Sequence, residues 1–78
     1  RMAMERRLDD LRPGDSAVVK AVNTNAHLGR RLQDFGFVPG TLVTCRYLGP
    51  GRKVAALEFR DTVVAMRTAD LRDIRVVR

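Results

Sequence analysis

Cysteine occurs once, at position 45, histidine once, at position 27, and tryptophan not at all in this chain of 78 residues. A lone cysteine excludes an internal disulfide, so packing must hold the fold, as suits a reducing compartment. A metal centre needs three or four convergent His, Cys or carboxylate ligands, and no CxxC, HxH or HxxE spacing occurs. Long apolar runs are missing too: none approaches the roughly 18 to 20 residues that cross a bilayer as a helix. Residues 1–15 lack the apolar stretch of a secretory signal, and a cytoplasmic location is expected. The sequence opens on Arg1 rather than Met, and no argument rests on residues 1–3.

Acidic residues are outnumbered, nine against fifteen basic ones, for a net charge of +6. Such a balance fits an anionic partner. The cations are nevertheless scattered from Arg6 to Arg78 among acidic neighbours, without the concentrated stripe of a nucleic-acid-binding face. With 45% hydrophobic and 31% charged residues the composition is that of a folded globular domain. At this length folding buries only about 60 to 65% of the unfolded chain's surface, which allows one modest core and one domain over residues 1–78.

The local signals are mostly of strands and turns. Pro13-Gly14 supplies a fixed φ and then a residue tolerant of positive φ, so a turn precedes a strand over residues 16–22, with Ala17, Val19 and Ala21 sharing a face. Asn23-Thr24-Asn25 offers helix caps, and Leu28, Leu32 and Phe35 recur on one helical stripe, which predicts a helix over residues 26–35. Gly36 stands where a helix ends in the left-handed conformation, placing Phe37 against Leu32, and Pro39 blocks continuation. Pro39-Gly40 repeats the first turn. A strand follows over residues 42–48, with Val43, Cys45 and Tyr47 on one face. The polar loop Gly49 to Lys53 leads to residues 54–59, whose inner face is Ala55, Leu57 and Phe59. Arg60-Asp61 is a tight turn before residues 62–67, with Val64 and Met66 on one side. Thr68 caps a single helical turn, and Ile74 to Val77 forms the last strand. About five short strands and one short helix in so small a chain avoid exposed edges by curling up. The expected fold is mainly β, a small SH3-like barrel with the helix over one opening.

Little reactive chemistry is on offer. His27 and Cys45 fall in different elements, so no nucleophile sits beside a base, and catalysis is not expected. Cys45 reads as a small buried hydrophobe and His27 as exposed. Asp9, Asp10 and Asp15 read as solvated turn carboxylates rather than cation ligands. Gly49-Pro50-Gly51 lacks the phosphate-loop pattern, and Pro50 removes an N–H a phosphate would use. No cofactor or metal is assigned.

The run Gly29-Arg30-Arg31-Leu32-Gln33-Asp34-Phe35-Gly36-Phe37-Val38-Pro39-Gly40-Thr41 resembles the helix-turn signature of FeoA domains. The similarity extends to Leu8, Leu11 and Pro13-Gly14-Asp15, to Val64-Ala65-Met66-Arg67 and to Ile74-Arg75-Val76, nearly the whole chain in order. Two departures stand out. Gly51-Arg52-Lys53 replaces a loop that often carries an acidic residue and Pro, and Leu71 replaces a smaller Ala. The resemblance implies a cytoplasmic accessory of bacterial ferrous-iron uptake, a non-catalytic protein-interaction module acting on the FeoB GTPase-transporter and meeting the membrane only through it. The same domain also docks internally within metal-responsive repressors. Arg30 and Arg31 are candidate partner-binding residues, because arginine is enriched at interface hot spots and the signature includes this position. Phe37 and Val38, at the tip of the turn, are candidate exposed apolar anchors. Arg67 is expected to pair with Asp70 or Asp73. A basic barrel binding nucleic acid is the alternative, weakened because the four aromatics are expected in the core. Weak self-association through an incompletely closed edge is compatible with either reading.

Overall fold

Two Pro-Gly turns set the chain's course. The amide of Asp15 donates to Arg12 O at 2.9 Å with Gly14 at φ +93°, and the amide of Thr41 donates to Val38 O at 3.0 Å with Gly40 at φ +96°. Both are the expected turns with a left-handed third residue. The computed structural model describes residues 4–78. Residues 1–3 lie outside the described residues. The elements are β1 (Glu5–Arg7), β2 (Ser16–Val22), α1 (Ala26–Asp34), β3 (Leu42–Leu48), β4 (Val54–Phe59), β5 (Thr62–Arg67), a one-turn helix α2 (Thr68–Leu71) and β6 (Ile74–Val77). A short 3-10 turn covers Leu8–Asp10, and Pro50–Arg52 form a turn that passes through positive φ at Gly51 and Arg52.

All six strands join one antiparallel sheet in the order β1-β6-β2-β3-β4-β5. The mainly β fold with one principal helix agrees with the sequence reading, with six strands rather than about five. The additional strand, β1, is charged throughout and carries no alternation; pairing with β6, through Glu5↔Val77 and Arg7↔Arg75, makes it a strand. Glu5 fastens this edge by accepting from Lys20 Nζ at 2.5 Å and Arg75 Nε at 2.9 Å, and those cations hold its carboxyl below the usual range.

Inside the curled sheet lie Ala17, Val19, Val43, Cys45, Ala55, Leu57, Phe59, Met66, Ile74 and Val76, joined by Leu8, Leu11, Leu32, Phe37 and Leu71 from the turns and helices. Leu71 is fully buried. Two register shifts bend the sheet. Lys20 is the extra residue between Val19↔Val76 and Ala21↔Arg75, and Arg46 the extra one between Cys45↔Leu57 and Tyr47↔Ala56.

The second shift corrects one expectation. Beyond Arg46 the alternation changes phase, so Tyr47 turns outward, 60% exposed, and Leu48 takes the inner side opposite Ala55. Phe35 is outward as well, 54% exposed, so two of the four aromatics, not none, lie outside the core. Thr68 also departs from its expected role. It does not cap α2; its hydroxyl donates to Arg52 O at 2.7 Å and its amide to Lys53 O at 2.9 Å, tying the middle loop to the last turn. Arg67 pairs with Asp70, Nε to Oδ2 at 3.2 Å.

Candidate interaction surface

The surface is built on α1 and the turn behind it. Asn25 caps the helix, its side-chain oxygen accepting the Leu28 amide at 2.9 Å, so one of the orphan N–H groups of the first turn is satisfied. At the other end the Phe37 amide donates to Leu32 O at 2.8 Å and the Gly36 amide to Gln33 O at 2.9 Å, the paired bonds of a Schellman termination, with Gly36 at φ +85°. Three further groups hold the reversed chain. Gly36 O accepts from Thr41 Oγ1 at 3.1 Å and from Arg60 Nε at 3.0 Å, and Phe37 meets Phe59 edge to face with centroids 4.9 Å apart. Burying the Phe37 ring contributes about 1.5–3 kcal/mol, and an aromatic pair of this geometry about 0.5–1.5 kcal/mol more.

This reversal decides which aromatic is inside. The helical stripe set Phe35 with Leu28 and Leu32, the helix end set Phe37 against Leu32, and the turn tip offered Phe37 as an exposed anchor; the structure keeps the second of these and turns Phe35 outward. Phe37 is 1% exposed, so it is not an exposed anchor. The left-handed step at Gly36 folds Phe37 back under the helix end, into the space a continuing stripe would give Phe35. Val38 is half-buried and Arg30 and Arg31 are exposed.

Arg30 and Arg31 fall on opposite flanks of α1. Arg30, with Asn25, Gln33, Val38 and Pro39, lines an open groove of about 730 Å³ whose base includes Phe37 and Val22. Arg31 lines a smaller, more apolar groove of about 220 Å³ with Leu28, Phe35, Val64, Met66 and Arg67. The structure therefore brings Arg30 and Val38 together and separates them from Arg31. Among the described residues neither arginine forms an ion pair, which leaves both side chains available. Sequence reasoning missed Phe35; the signal was present in the glycine that follows it.

The remaining polar groups of the turns are taken up by their neighbours. Asp9 is held by Arg7 at 2.6 Å, and Asp15 accepts from the Arg12 amide at 3.0 Å and lies 3.4 Å from Arg78. Cys45 is buried and its surroundings push the thiol pKa up, chiefly by desolvation, away from nucleophilic chemistry. His27 is exposed on α1. No group of three or more His, Cys, Asp or Glu residues is placed to hold a metal ion, and no helix is long and apolar enough to cross a membrane, among the described residues.

The FeoA domain family model matches residues 6–78. No curated protein matches the chain. Among solved structures, the FeoA protein of Chlorobium tepidum is 27% identical with a TM-score of 0.87, over 91% of this chain and 68% of that one. FeoA of Stenotrophomonas maltophilia, solved with zinc and described as a prokaryotic SH3 domain protein, is 31% identical with a TM-score of 0.80, over 91% and 88%. A manganese-dependent transcriptional repressor is similar in fold alone: 16% identity and a TM-score of 0.82, over 99% of this chain but 43% of that one.

Proposed function

The chain belongs to the FeoA domain family, and from that membership we propose that it is a single-domain, cytoplasmic, non-catalytic accessory of ferrous-iron transport that works by binding a FeoB-type membrane GTPase-transporter. One observation supports this reading above the others. The helix-turn unit from Asn25 to Thr41 is braced at both ends and against Phe59 and Arg60, yet it leaves Arg30, without an ion pair among the described residues, beside the apolar Val38 and Pro39 on an open groove. A rigid patch of that kind loses little conformational entropy on docking, and arginine with an apolar neighbour is the composition of an interface hot spot. Arg31 contributes from the opposite flank.

Binding to the isolated cytoplasmic part of a FeoB-type protein tests the proposal. Arg30→Glu and Val38→Asp should each weaken it by about tenfold or more, the scale of a hot-spot residue. Arg72→Glu, on α2's C-terminal side, should leave it unchanged. An RNA oligonucleotide serves as the contrasting ligand in a salt titration, where phosphate contacts give a steep decline of affinity. Failure of the native chain to bind the FeoB-type protein, or indifference of binding to both groove substitutions, refutes the proposal.

A further inference from the structure

The sheet has two edges, and they are built differently. β1 offers three residues, Glu5-Arg6-Arg7, all charged. β5 offers six, Thr62-Val63-Val64-Ala65-Met66-Arg67, with no charge before its last residue, no proline and no bulge. Proteins guard exposed edges with charges, prolines, bulges or shortness, because a bare row of N–H and C=O groups is a template for another strand. By that measure β1 is guarded and β5 is open.

The hairpin fixes which groups are free. Arg60 and Asp61, at φ +52° and +62°, make a two-residue loop, so Phe59 and Thr62 form the closing hydrogen-bonded pair. The alternation of an antiparallel ladder then commits Val64 and Met66 to β4 and turns the N–H and C=O of Val63 and Ala65 outward, with the N–H of Arg67. Among the described residues no turn or loop backbone bond reaches Val63 or Ala65. Their side chains are exposed, Val63 at 59%, and Ala65 joins Val64, Met66 and Arg67 along the apolar groove beside Phe35.

We propose that β5 is a self-association edge, on which a second copy of the chain pairs its own Thr62–Arg67 antiparallel about a two-fold axis at Val64. Val63 of each copy then lies opposite Ala65 of the other, joined by both outward backbone groups, and Asp61 lies opposite Arg67. The charges at the two ends of the same strand select this register and this occupant. Arg67 engages Asp70 through Nε, which leaves its terminal nitrogens for the second copy's carboxylate. Moving the axis one residue, to Ala65, sets Arg67 opposite Val63 and leaves Asp61 without its partner. Because the interface is isologous, each favourable contact occurs twice. A single pair of short strands buries little area, so the dimer forms with rising concentration rather than as an obligate unit. This surface is separate from Arg30 and Val38 and shares its groove only with Arg31 among the candidate binding residues, and the inference stands whether or not the transporter is the partner.

Sedimentation equilibrium over a wide concentration series, with amide exchange at its two ends, tests it. The expected result is a monomer–dimer equilibrium in which exchange at Val63 and Ala65 slows as concentration rises and exchange at Val64 does not. Ala65→Pro removes an outward N–H that β4 does not use and should weaken the dimer by about tenfold or more, two hydrogen bonds being lost by symmetry. Should that variant misfold by its urea midpoint, Val63→Lys guards the same edge from the exposed face and should act likewise. Asp61→Arg and Arg67→Asp should each weaken association, and the double exchange should restore it. A monomer at every concentration, or a dimer indifferent to the edge substitutions, overturns the proposal. So does protection of Val63 and Ala65 that appears only with a different protein's peptide.

Discussion

Replacing Gly36 with alanine tests the joint between α1 and the barrel most directly. The residue sits at φ +85°, and an added Cβ would stand 2.8 Å from Arg60 Cδ and 2.9 Å from its Nε. Two costs follow. Holding an L-residue in the left-handed conformation costs about 1–2 kcal/mol. The arginine side chain is flexible and swings clear, but it then gives up its 3.0 Å bond to Gly36 O, a loss of about 0.5–1.5 kcal/mol. The sum, about 1.5–3.5 kcal/mol, is a large share of the roughly 4–12 kcal/mol typical of a 78-residue domain. It corresponds to a fall in Tm of roughly 6–28 °C for a domain of this size. Gly40 is the internal control: it lies at φ +96° with no heavy atom within 4 Å of an added Cβ, so Gly40→Ala carries the conformational cost alone. Urea unfolding followed by circular dichroism should rank Gly36→Ala below Gly40→Ala at a common m-value. In an Arg60→Ala background the excess should vanish. Equal costs for the two glycines, or a coupling to Arg60 under about 0.5 kcal/mol, would refute the reasoning.

The remaining predictions follow from the same geometry. Phe37→Ser should destabilise by about 3–5 kcal/mol and Phe35→Ser by less than about 0.5 kcal/mol, a contrast that thermal melts of the two variants check directly. Asp61→Gly should stabilise by about 0.5 kcal/mol, since two consecutive left-handed residues suit an Asn-Gly type of turn better than Arg-Asp, and should appear as a Tm rise of a few degrees. The folded state holds the Cys45 thiol proton more tightly than the unfolded chain does. Its contribution is therefore complete below about pH 8.5, the unfolded thiol's range, and declines as pH rises toward the higher folded value. A Tm-versus-pH comparison should show a steeper alkaline decline for the native chain than for Cys45→Val, and parallel curves would count against it.

What the sequence made legible were features decided within a few residues. Asn25 capping α1, the Schellman pairing of Leu32 with Phe37 and the two Pro-Gly turns all rest on local backbone chemistry, and all are present. The inner face Ala55, Leu57 and Phe59 was equally plain, because β4 runs without a shift beside β5. Misreadings arose where distant parts of the chain decide. Nothing near Tyr47 announces that Arg46 is an extra residue, since the shift exists only relative to β4. β1 has no pattern of its own and is a strand because β6 needs a neighbour. For the candidate surface, chemistry pointed to Arg30, Arg31 and Val38; consecutive helical residues diverge by about 100°, and α1 accordingly sets Arg30 beside Val38 on one flank and Arg31 on the other.

At the β1 edge, Met4 and Arg78 exchange backbone hydrogen bonds, 3.2 Å from the Met4 amide to Arg78 O and 3.1 Å in return. Any polypeptide continuing from either side therefore departs from one corner of the molecule. A short linker across that corner would close the backbone into a ring, and new ends cut within the exposed segment Gly51 to Lys53 would leave every core residue in place. The same geometry lets this unit be spliced into a surface loop of a host protein while barely altering the spacing of the host's own flanking residues.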